Sequence, residues 1–466
     1  MGSAPASRIT NRHITAYALY MLGSNLAVMS HMTYQTIFMT EYMGVSIASV
    51  SAVLLVARFI DFVVSLIGGG IIEKTPFRHG KYRSWLLLGR WLVVFSVVCI
   101  FFNTSAWPVG FRLGLAFVGY VVLNVTMGFV TNAFYALGPV MAGANMDDRF
   151  RLSAVTAKIM PVSMIITSAL TLPCIDLLAK AVGYEWAYLV VSLVFALPYI
   201  WFAGHLSDVS KEFDPDGAGR SESGAPSVTV GDMIRSVTQN RQMLVLVLSY
   251  SLYYVGTYVI SGLMTYYFMY VVGNFTLMAL CSTISMVAGL VTVQFMPNIG
   301  KKLGKKKAYV VGLAAYAVIY MAMYFVRGNW IGYIIVGIVA GAFMYLFSGY
   351  GANYFVDAGE YYLYETGKDT RAVAVSMFSV PMKVGMMLGN FIATTSLGAI
   401  GYTAGMTATP AFVTKFMVIM AIVGPAIILL SAAIFAVFYK ITDEKAAFYA
   451  AENMKRMSAP ALQKDI

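Results

Sequence analysis

The chain contains 466 residues, of which 59% are hydrophobic and only 11% are charged, and its mean hydropathy is +0.74. Soluble domains carry about 25% charged residues, so this composition excludes an ordinary soluble globular protein. The net charge of +11 is typical of the basic cytoplasmic loops of a polytopic membrane protein, and the chain has no basic aromatic module of the kind that binds nucleic acid.

Twelve apolar runs follow one another along the chain, and each is long enough for a helix that crosses a membrane, which needs about 20 residues. The first run is too long for a cleaved signal peptide and is interpreted as a span. Continuous runs predict helices, since the strands of a membrane barrel alternate between apolar and polar residues. The approximate limits are 14–42, 46–72, 84–104, 111–142, 152–181, 184–206, 242–272, 275–297, 307–327, 330–355, 371–399 and 411–440.

A long polar segment, from Ser207 to Arg241, separates six runs from six. Its Ser/Gly-rich part is typical of a linker. The sequence therefore predicts an all-α polytopic membrane protein with twelve transmembrane helices in two six-helix halves. The predicted domains are an N-terminal half over 1–206, a cytoplasmic linker over 207–241, a C-terminal half over 242–440 and a cytoplasmic tail over 441–466.

Basic residues predict the orientation in the membrane. If both termini and the even-to-odd loops lie on one side, that side carries 24 of the 32 Lys and Arg residues, and the opposite loops and span ends carry four. By the positive-inside rule both termini are cytoplasmic. The halves also resemble each other, because a basic loop follows the second run of each half, at Gly80–Arg83 and Gly300–Lys307.

Charged residues inside the runs are the first candidates for function. Arg58 and Asp61 lie three residues apart, hence on one helix face, and Lys383 lies near the middle of the eleventh run. A charge in mid-membrane costs several kcal/mol unless it has a partner or a wet cavity. Asp61 is the expected opposite charge for Lys383. The alternative is a purely structural Arg58–Asp61 pair that holds helices together.

Two blocks of sequence carry a family resemblance. The first block is a signature formed by Arg58, Asp61, Glu73, Thr75, Gly80, Lys81, Arg83 and Trp85. The second block begins at Asp357-Ala358-Gly359-Glu360-Tyr361, continues through Thr366-Gly367 and Arg371, and ends at Lys383-Val384-Gly385. Together they resemble the glycoside-pentoside-hexuronide:cation symporters, a branch of the major facilitator superfamily that includes melibiose permease. Glu73 stands where Asp or Asn is usual, and Ser84 stands where Pro is usual.

The resemblance implies secondary active transport of a sugar, glycoside or sugar acid with a coupled cation, by alternating access and without a cofactor. Asn25 and Thr131 stand where melibiose permease has sugar-contacting aspartates, and Tyr135 and Tyr345 stand where the family has sugar-stacking tryptophans. Galactoside specificity is therefore not carried over. The substrate-binding residues implied are Asn25, Thr131, Tyr135, Tyr345, Ser379 and Lys383.

The same resemblance implies a cation site formed by Asp61, Ser65 and Arg58. Val64 and Gly128 stand at two other places of the family's site and supply no side-chain oxygen. A sodium ion needs several hard oxygen ligands, whereas a proton needs one carboxylate whose pKa the surroundings can move. Proton coupling is therefore favoured over sodium.

Other functions remain as alternatives. The chain has no P-loop and no evident acid/base pair, so it is predicted not to be an enzyme. A carrier of another organic solute, including an anionic one, stays open because two sugar-binding aspartates are missing. A sensor that has lost transport on the same fold also stays open. The expected partners are a small-molecule solute and membrane lipid, the expected state is a monomer, and the expected location is the cytoplasmic membrane of a bacterium.

Further polar and small residues have mainly structural interpretations. His31 and Gln35 are expected to make an interhelical hydrogen bond rather than face a cavity. The tyrosines Tyr266, Tyr267 and Tyr270 are expected in an interfacial belt, and Tyr254 and Tyr258 are the better pocket candidates. The pairs Gly337/Gly341 and Gly385/Gly389 have the spacing of close helix packing.

Overall fold

The computed structural model describes residues 9–75, 77–143, 146–216, 238–348, 350–368, 370, 374 and 377–458. Within that part of the chain all regular structure is helical. Six long helices precede the central polar segment and are numbered spans 1 to 6: Asn11–Ile37, Ile47–Lys74, Arg83–Phe101, Val109–Ala142, Met146–Val182 and Tyr184–Val209. A short 3₁₀ turn, Ser210–Glu212, continues span 6.

Six further spans follow the central segment. Spans 7 to 12 are Arg241–Tyr266, Leu277–Leu303, Lys305–Met321, Trp330–Ser348, Val380–Ala399 and Pro410–Phe438. Smaller helices lie between or after them: Met323–Val326, Gly351–Thr366 and Asp443–Ser458. The prediction of an all-α membrane protein is confirmed.

Ten of the described helices are long and apolar enough to cross a membrane. Spans 1 and 11 fall outside this set because they carry more polar residues. Span 1 contains Asn25 and the buried His31 and Gln35, and span 11 contains Lys383 and the buried Thr394. Polar side chains inside a membrane protein are placed toward protein rather than lipid, so lower hydropathy at these two helices indicates an interior role.

Two predicted runs differ from the helices observed. The run 330–355 is interrupted, because span 10 ends at Ser348 and a new helix begins at Gly351. A Cβ atom on Gly351 would lie 2.8 Å from the ring of Phe378, so the restart coincides with a close approach of the next segment. Within the run 371–399, span 11 is the helix Val380–Ala399, which directly follows the 3₁₀ turn Met377–Ser379.

The chain divides into two compact units. The first unit comprises Met1–Ser227, Thr265–Met286 and Leu397–Thr407, and the second comprises Val228–Met264, Val287–Ser396 and Ala408–Ile466. Short segments at the ends of spans 7, 8 and 11 therefore belong with the first six spans. The predicted domain limits at 206 and 242 stay a prediction.

Spans 1 and 7 end in the same way. A π-helical turn, Phe38–Tyr42, follows span 1, and a second, Tyr267–Val271, follows span 7. Each turn is followed by a glycine with positive φ, Gly44 at 62° and Gly273 at 73°. Single π-turns inside helices are rare and frequently mark functional sites.

The signature loop between spans 2 and 3 is fixed by an aspartate from the central segment. The buried Asp214 carboxylate accepts the backbone N–H groups of Lys81, Tyr82 and Arg83 at 2.8, 2.8 and 2.9 Å. Gly80 adopts φ +88°, and a Cβ atom there would lie 2.6 Å from the Asp214 carbonyl oxygen. Glycine is therefore required for this docking.

Candidate functional site

Arg58 and Asp61 are both buried in span 2, with 7% and 8% of their surfaces exposed. Arg58 donates from Nη1 to Oδ1 of Asn124 at 2.9 Å, and its guanidinium carbon lies 5.0 Å from the centre of the Tyr120 ring. A hydrogen bond and a cation–π contact therefore bind this charge to span 4.

One face of span 4 continues from this contact. Asn124, Gly128, Thr131 and Tyr135 recur at intervals of four, three and four residues, which places them on a single helix face. We call these four residues the span-4 polar face. Oδ1 of Asp61 lies 4.0 Å from the position of a Cβ atom on Gly128. The buried carboxylate of span 2 therefore lies beside this face.

The far end of the span-4 polar face is exposed. Tyr135 exposes 54% of its surface, and Thr131 is also exposed. The neighbouring Phe134 is buried and stacks on Tyr17 and Tyr20 of span 1, with ring centres 4.1 and 4.7 Å away. The Tyr135 ring packs edge-on against Phe134, with ring centres 5.4 Å apart, and more than half of its surface remains exposed.

Asn25 lies in span 1 and bonds span 5. Its Nδ2 donates to Oγ of Ser163 at 3.3 Å, and Ser163 in turn donates to the Ile159 carbonyl at 2.7 Å. The Asn25 side chain is half-buried. Asn25, Thr131 and Tyr135 all belong to the first unit.

The remaining predicted substrate residues lie in the second unit. Tyr345 is half-buried in span 10, and a Cβ atom on Gly289 of span 8 would lie 2.7 Å from its hydroxyl. Ser379 is exposed, and Lys383 is half-buried one turn further along. That these three residues share a cavity with Asn25, Thr131 and Tyr135 stays a prediction, as does a Lys383–Asp61 pair.

The rest of the predicted cation site is only partly described. Ser65 lies within the helix of span 2, and its side chain is outside the described part of the chain. Arg371 of the second signature block also lies outside the described residues. Among the described residues, no group of three or more His, Cys, Asp and Glu side chains is placed to hold a metal ion.

The sequence interpretation missed Asn124 and Tyr120 as partners of Arg58. Asn124 is a polar residue within the apolar run 111–142, and this position could have indicated a partner for a charged residue. The expected interhelical bond of His31 is wrong. His31 is 1% exposed, its ring lies 6.0 Å from that of Tyr120, and neither ring nitrogen has a hydrogen-bond partner among the described residues.

The expected interfacial belt is also wrong for Tyr266 and Tyr267, and for Tyr270 it stays a prediction. Tyr266 and Tyr267 are 1% and 0% exposed, so both rings are packed inside the protein. Tyr270 donates a hydrogen bond to Glu41. The close packing expected of the glycine pairs is confirmed for Gly385 and Gly389, since Cβ atoms there would lie 2.2 and 2.6 Å from span 7. It is wrong for Gly341, where a Cβ atom would meet no atom within 4 Å.

Comparison with known proteins agrees with the architecture. The sequence profile of the family described as MFS/sugar transport protein matches residues 16–443. An uncharacterized symporter of Bacillus subtilis (strain 168) is 24% identical over 88% of this chain and 88% of its own length. The glucuronide carrier protein homolog of Escherichia coli (strain K12) is 24% identical over 93% of each chain. The crystal structure of the nucleoside transporter NupG aligns with a TM-score of 0.65 at 12% identity, covering 93% of this chain and 100% of that one, and supports the fold alone.

Proposed function

The chain belongs to the MFS/sugar transport protein family, as the resemblance to the sugar:cation symporters predicted, and on this premise we propose that it moves a sugar, glycoside or sugar acid together with a cation by alternating access. The observation that carries the proposal is the span-4 polar face. It runs from the Arg58–Asn124 bond, past the Asp61 carboxylate, to the exposed ring of Tyr135. Two buried charged residues of span 2 and an exposed aromatic ring thus lie along one face of span 4.

A sugar acid is the first solute to test. The relative from Escherichia coli is by name a glucuronide carrier homolog. In this chain Asn25 and Thr131 replace two carboxylates of the melibiose permease pattern, and Lys383 remains. Fewer negative groups and one ammonium favour a solute that carries a carboxylate. Another anionic organic solute is the second candidate, supported by the same residues.

The proposed substrate site has a distinct role for each kind of side chain. Tyr135 and Tyr345 offer ring faces to the CH groups of a sugar, and Lys383 pairs with its carboxylate. The polar side chains Asn25, Thr131 and Ser379 bond hydroxyl groups. We expect Tyr135→Ala to raise the KM for uptake by about threefold to tenfold, the loss of one stacking contact. Trp201→Ala, at a residue 77% exposed, is the control and should leave KM unchanged.

The coupling ion in this proposal is a proton carried by Asp61. Val64 and Gly128 offer no side-chain oxygen, so an incomplete ligand set disfavours sodium. Arg58 lies on the same helix face, three residues before Asp61, and is held by Asn124. Solute and proton would be linked if binding of the solute changes the contacts of these two residues.

The proposed location is the cytoplasmic membrane with both termini inside, because 24 of 32 basic residues lie on that side. Cysteines introduced at residue 222 and residue 460 test this orientation. A membrane-impermeant thiol reagent applied to intact cells should label neither. Labelling of either cysteine would reverse the orientation.

Purified protein in liposomes tests the transport proposal. Counterflow of labelled glucuronide, glycosides and pentosides needs no coupling ion, and it separates a carrier from a sensor that does not transport. Uphill uptake is then measured with a pH gradient alone and with a sodium gradient alone. The proposal expects counterflow of at least one solute and accumulation on the pH gradient. Absence of counterflow for the whole panel would refute carbohydrate transport, and accumulation on sodium alone would refute proton coupling.

A further inference from the structure

Glu41 lies in the π-helical turn that follows span 1, and its carboxylate binds residues from the second half of the sequence. The hydroxyls of Tyr270 and Tyr402 both donate to Oε1 of Glu41. The backbone N–H of Gly405 donates to Oε2 at 3.0 Å. All four residues belong to the first unit. Hydrogen bonds to an ionised carboxylate are about twice as strong as neutral ones, so this is a strong local attachment.

Glu41 and Tyr270 occupy equivalent positions in the two halves of the sequence. They are 229 residues apart, and the same spacing relates the two π-helical turns and the glycines Gly44 and Gly273. Halves of this superfamily are parallel repeats related by an axis along the membrane normal. Equivalent residues that touch must lie close to that axis. The Glu41–Tyr270 contact is therefore central rather than peripheral.

The residues around Glu41 hold this contact in place. Thr40 shares a hydrogen bond of 3.2 Å with the hydroxyl of Tyr266, which is itself buried and packs edge-on against Tyr402 with ring centres 5.2 Å apart. Arg112 donates from Nη1 to the Met43 carbonyl at 2.7 Å and fixes the turn after Glu41. Because neighbouring residues on both sides of Glu41 are also bonded, the Glu41 contact opens only when several of these bonds break together.

Two further hydrogen bonds within the first unit join the same two sequence halves, between span 5 and the start of span 8. Thr276 donates to Oδ2 of Asp176 at 2.8 Å, and Ser168 and Thr283 share a hydrogen bond of 3.2 Å. These are single bonds between short side chains. The Glu41 site differs from them because three donors converge on one carboxylate.

We propose that Glu41, Tyr270 and Tyr402 form a latch that closes the side of the carrier opposite the two termini. The latch must break before solute can enter from that side, which is the extracellular side in the proposed orientation. This inference rests on the proposed transport function and names the residues that regulate access to its site. Removal of the latch shifts the population toward the conformation that is open on that side.

Distances between two spin labels test the latch without any solute. Cysteines that replace Ala106 and Gly328, in the loops before spans 4 and 10, carry the labels in a chain whose three native cysteines are changed to alanine. Pulsed EPR is recorded on this chain and on the same chain with Glu41→Gln or with Tyr270→Phe and Tyr402→Phe together. The latch predicts that both variants raise the ratio of long to short distances about tenfold, the effect expected for loss of a charge-assisted bond.

Tyr362→Phe is the matched control. The Tyr362 hydroxyl also donates a hydrogen bond, to Oε1 of Gln239 at 2.9 Å, but both residues belong to the second unit. Its loss should leave the distance distribution unchanged. Unchanged distributions in both Glu41→Gln and the double tyrosine variant would overturn the latch, as would a lower melting temperature without any change in distance. Because the distances are recorded without solute, the result does not depend on the counterflow experiment. The latch proposal can therefore be refuted while transport is confirmed, and transport can be refuted while the latch is confirmed.

Discussion

Asp214 and Asp443 perform the same task in the two halves of the chain, each within its own unit. Asp214 follows span 6 and accepts three backbone N–H groups from the loop between spans 2 and 3. Asp443 follows span 12 and accepts the backbone N–H of Lys305, the residue after Gly304, at 2.9 Å. Both loops contain a glycine with positive φ, at 88° and 82°. The repeat seen in the two basic loops is therefore a repeat of contacts.

The second of these sites has an additional acid. The Lys305 ammonium bonds the carboxylate of Asp357 and lies 3.7 Å from that of Asp443. Burial raises the pKa of the Asp357 carboxyl, and the Lys305 ammonium offsets part of that rise. The second signature block therefore includes a residue that anchors the loop of the second half.

Asp214→Ala should strongly lower the melting temperature of the purified protein. Three backbone donors lose their acceptor in a buried position, and an unsatisfied buried donor costs about 1–3 kcal/mol. Thermal unfolding in detergent measures the effect. Asp208→Ala is the control, since Asp208 is exposed in the last turn of span 6. Equal losses for the two variants would contradict a special role for Asp214.

Glycine substitutions test which glycines of the two spaced pairs are needed for close helix packing. Gly385→Ala and Gly389→Ala should each destabilise the protein by about 1–3 kcal/mol, because new Cβ atoms would lie 2.2 and 2.6 Å from side-chain atoms of Tyr254 and Tyr258. Gly341→Ala meets no atom within 4 Å and should be neutral or stabilising, because alanine favours helices. Melting temperatures of the three variants check this, and a large loss for Gly341→Ala would be inconsistent with the packing described.

The sequence predicted the spans well because membrane helices are long and apolar, a signal that does not depend on tertiary contacts. It failed where neighbouring helices decide the outcome. Tyr266 has the position of an interfacial residue in sequence, and only packing against Tyr402 makes it internal. The sequence also did not predict that Asn124 would be the partner of Arg58, because pairing between spans 2 and 4 depends on helix register. The substrate residues rest on positional resemblance, which fixes a place on a helix but not a cavity.

Asn124→Leu should impair both stability and transport. Nη1 of Arg58 loses its acceptor, and a hydrogen bond to a charged group contributes about 1.5–3 kcal/mol. Asn124→Asp keeps an acceptor and should retain more stability than Asn124→Leu. Asn132→Leu is the control, since Asn132 lies on the same helix and is exposed. Thermal unfolding and counterflow rates are measured for all three. If Asn124→Leu behaves like Asn132→Leu, the Arg58 contact is dispensable.

Asp61→Asn should separate coupling from movement of the solute. The amide has nearly the same shape as the carboxylate but cannot bind and release a proton, so a pH gradient can no longer drive accumulation. Solute exchange needs only the alternation of the two conformations and should persist. We expect uphill uptake in liposomes to fall to background while counterflow stays within about threefold of wild type. Asp208→Asn, at an exposed residue near the end of span 6, is the matched control and should leave both activities intact. Continued pH-driven accumulation by Asp61→Asn would remove Asp61 from the coupling mechanism, and loss of counterflow as well would assign Asp61 to solute binding instead.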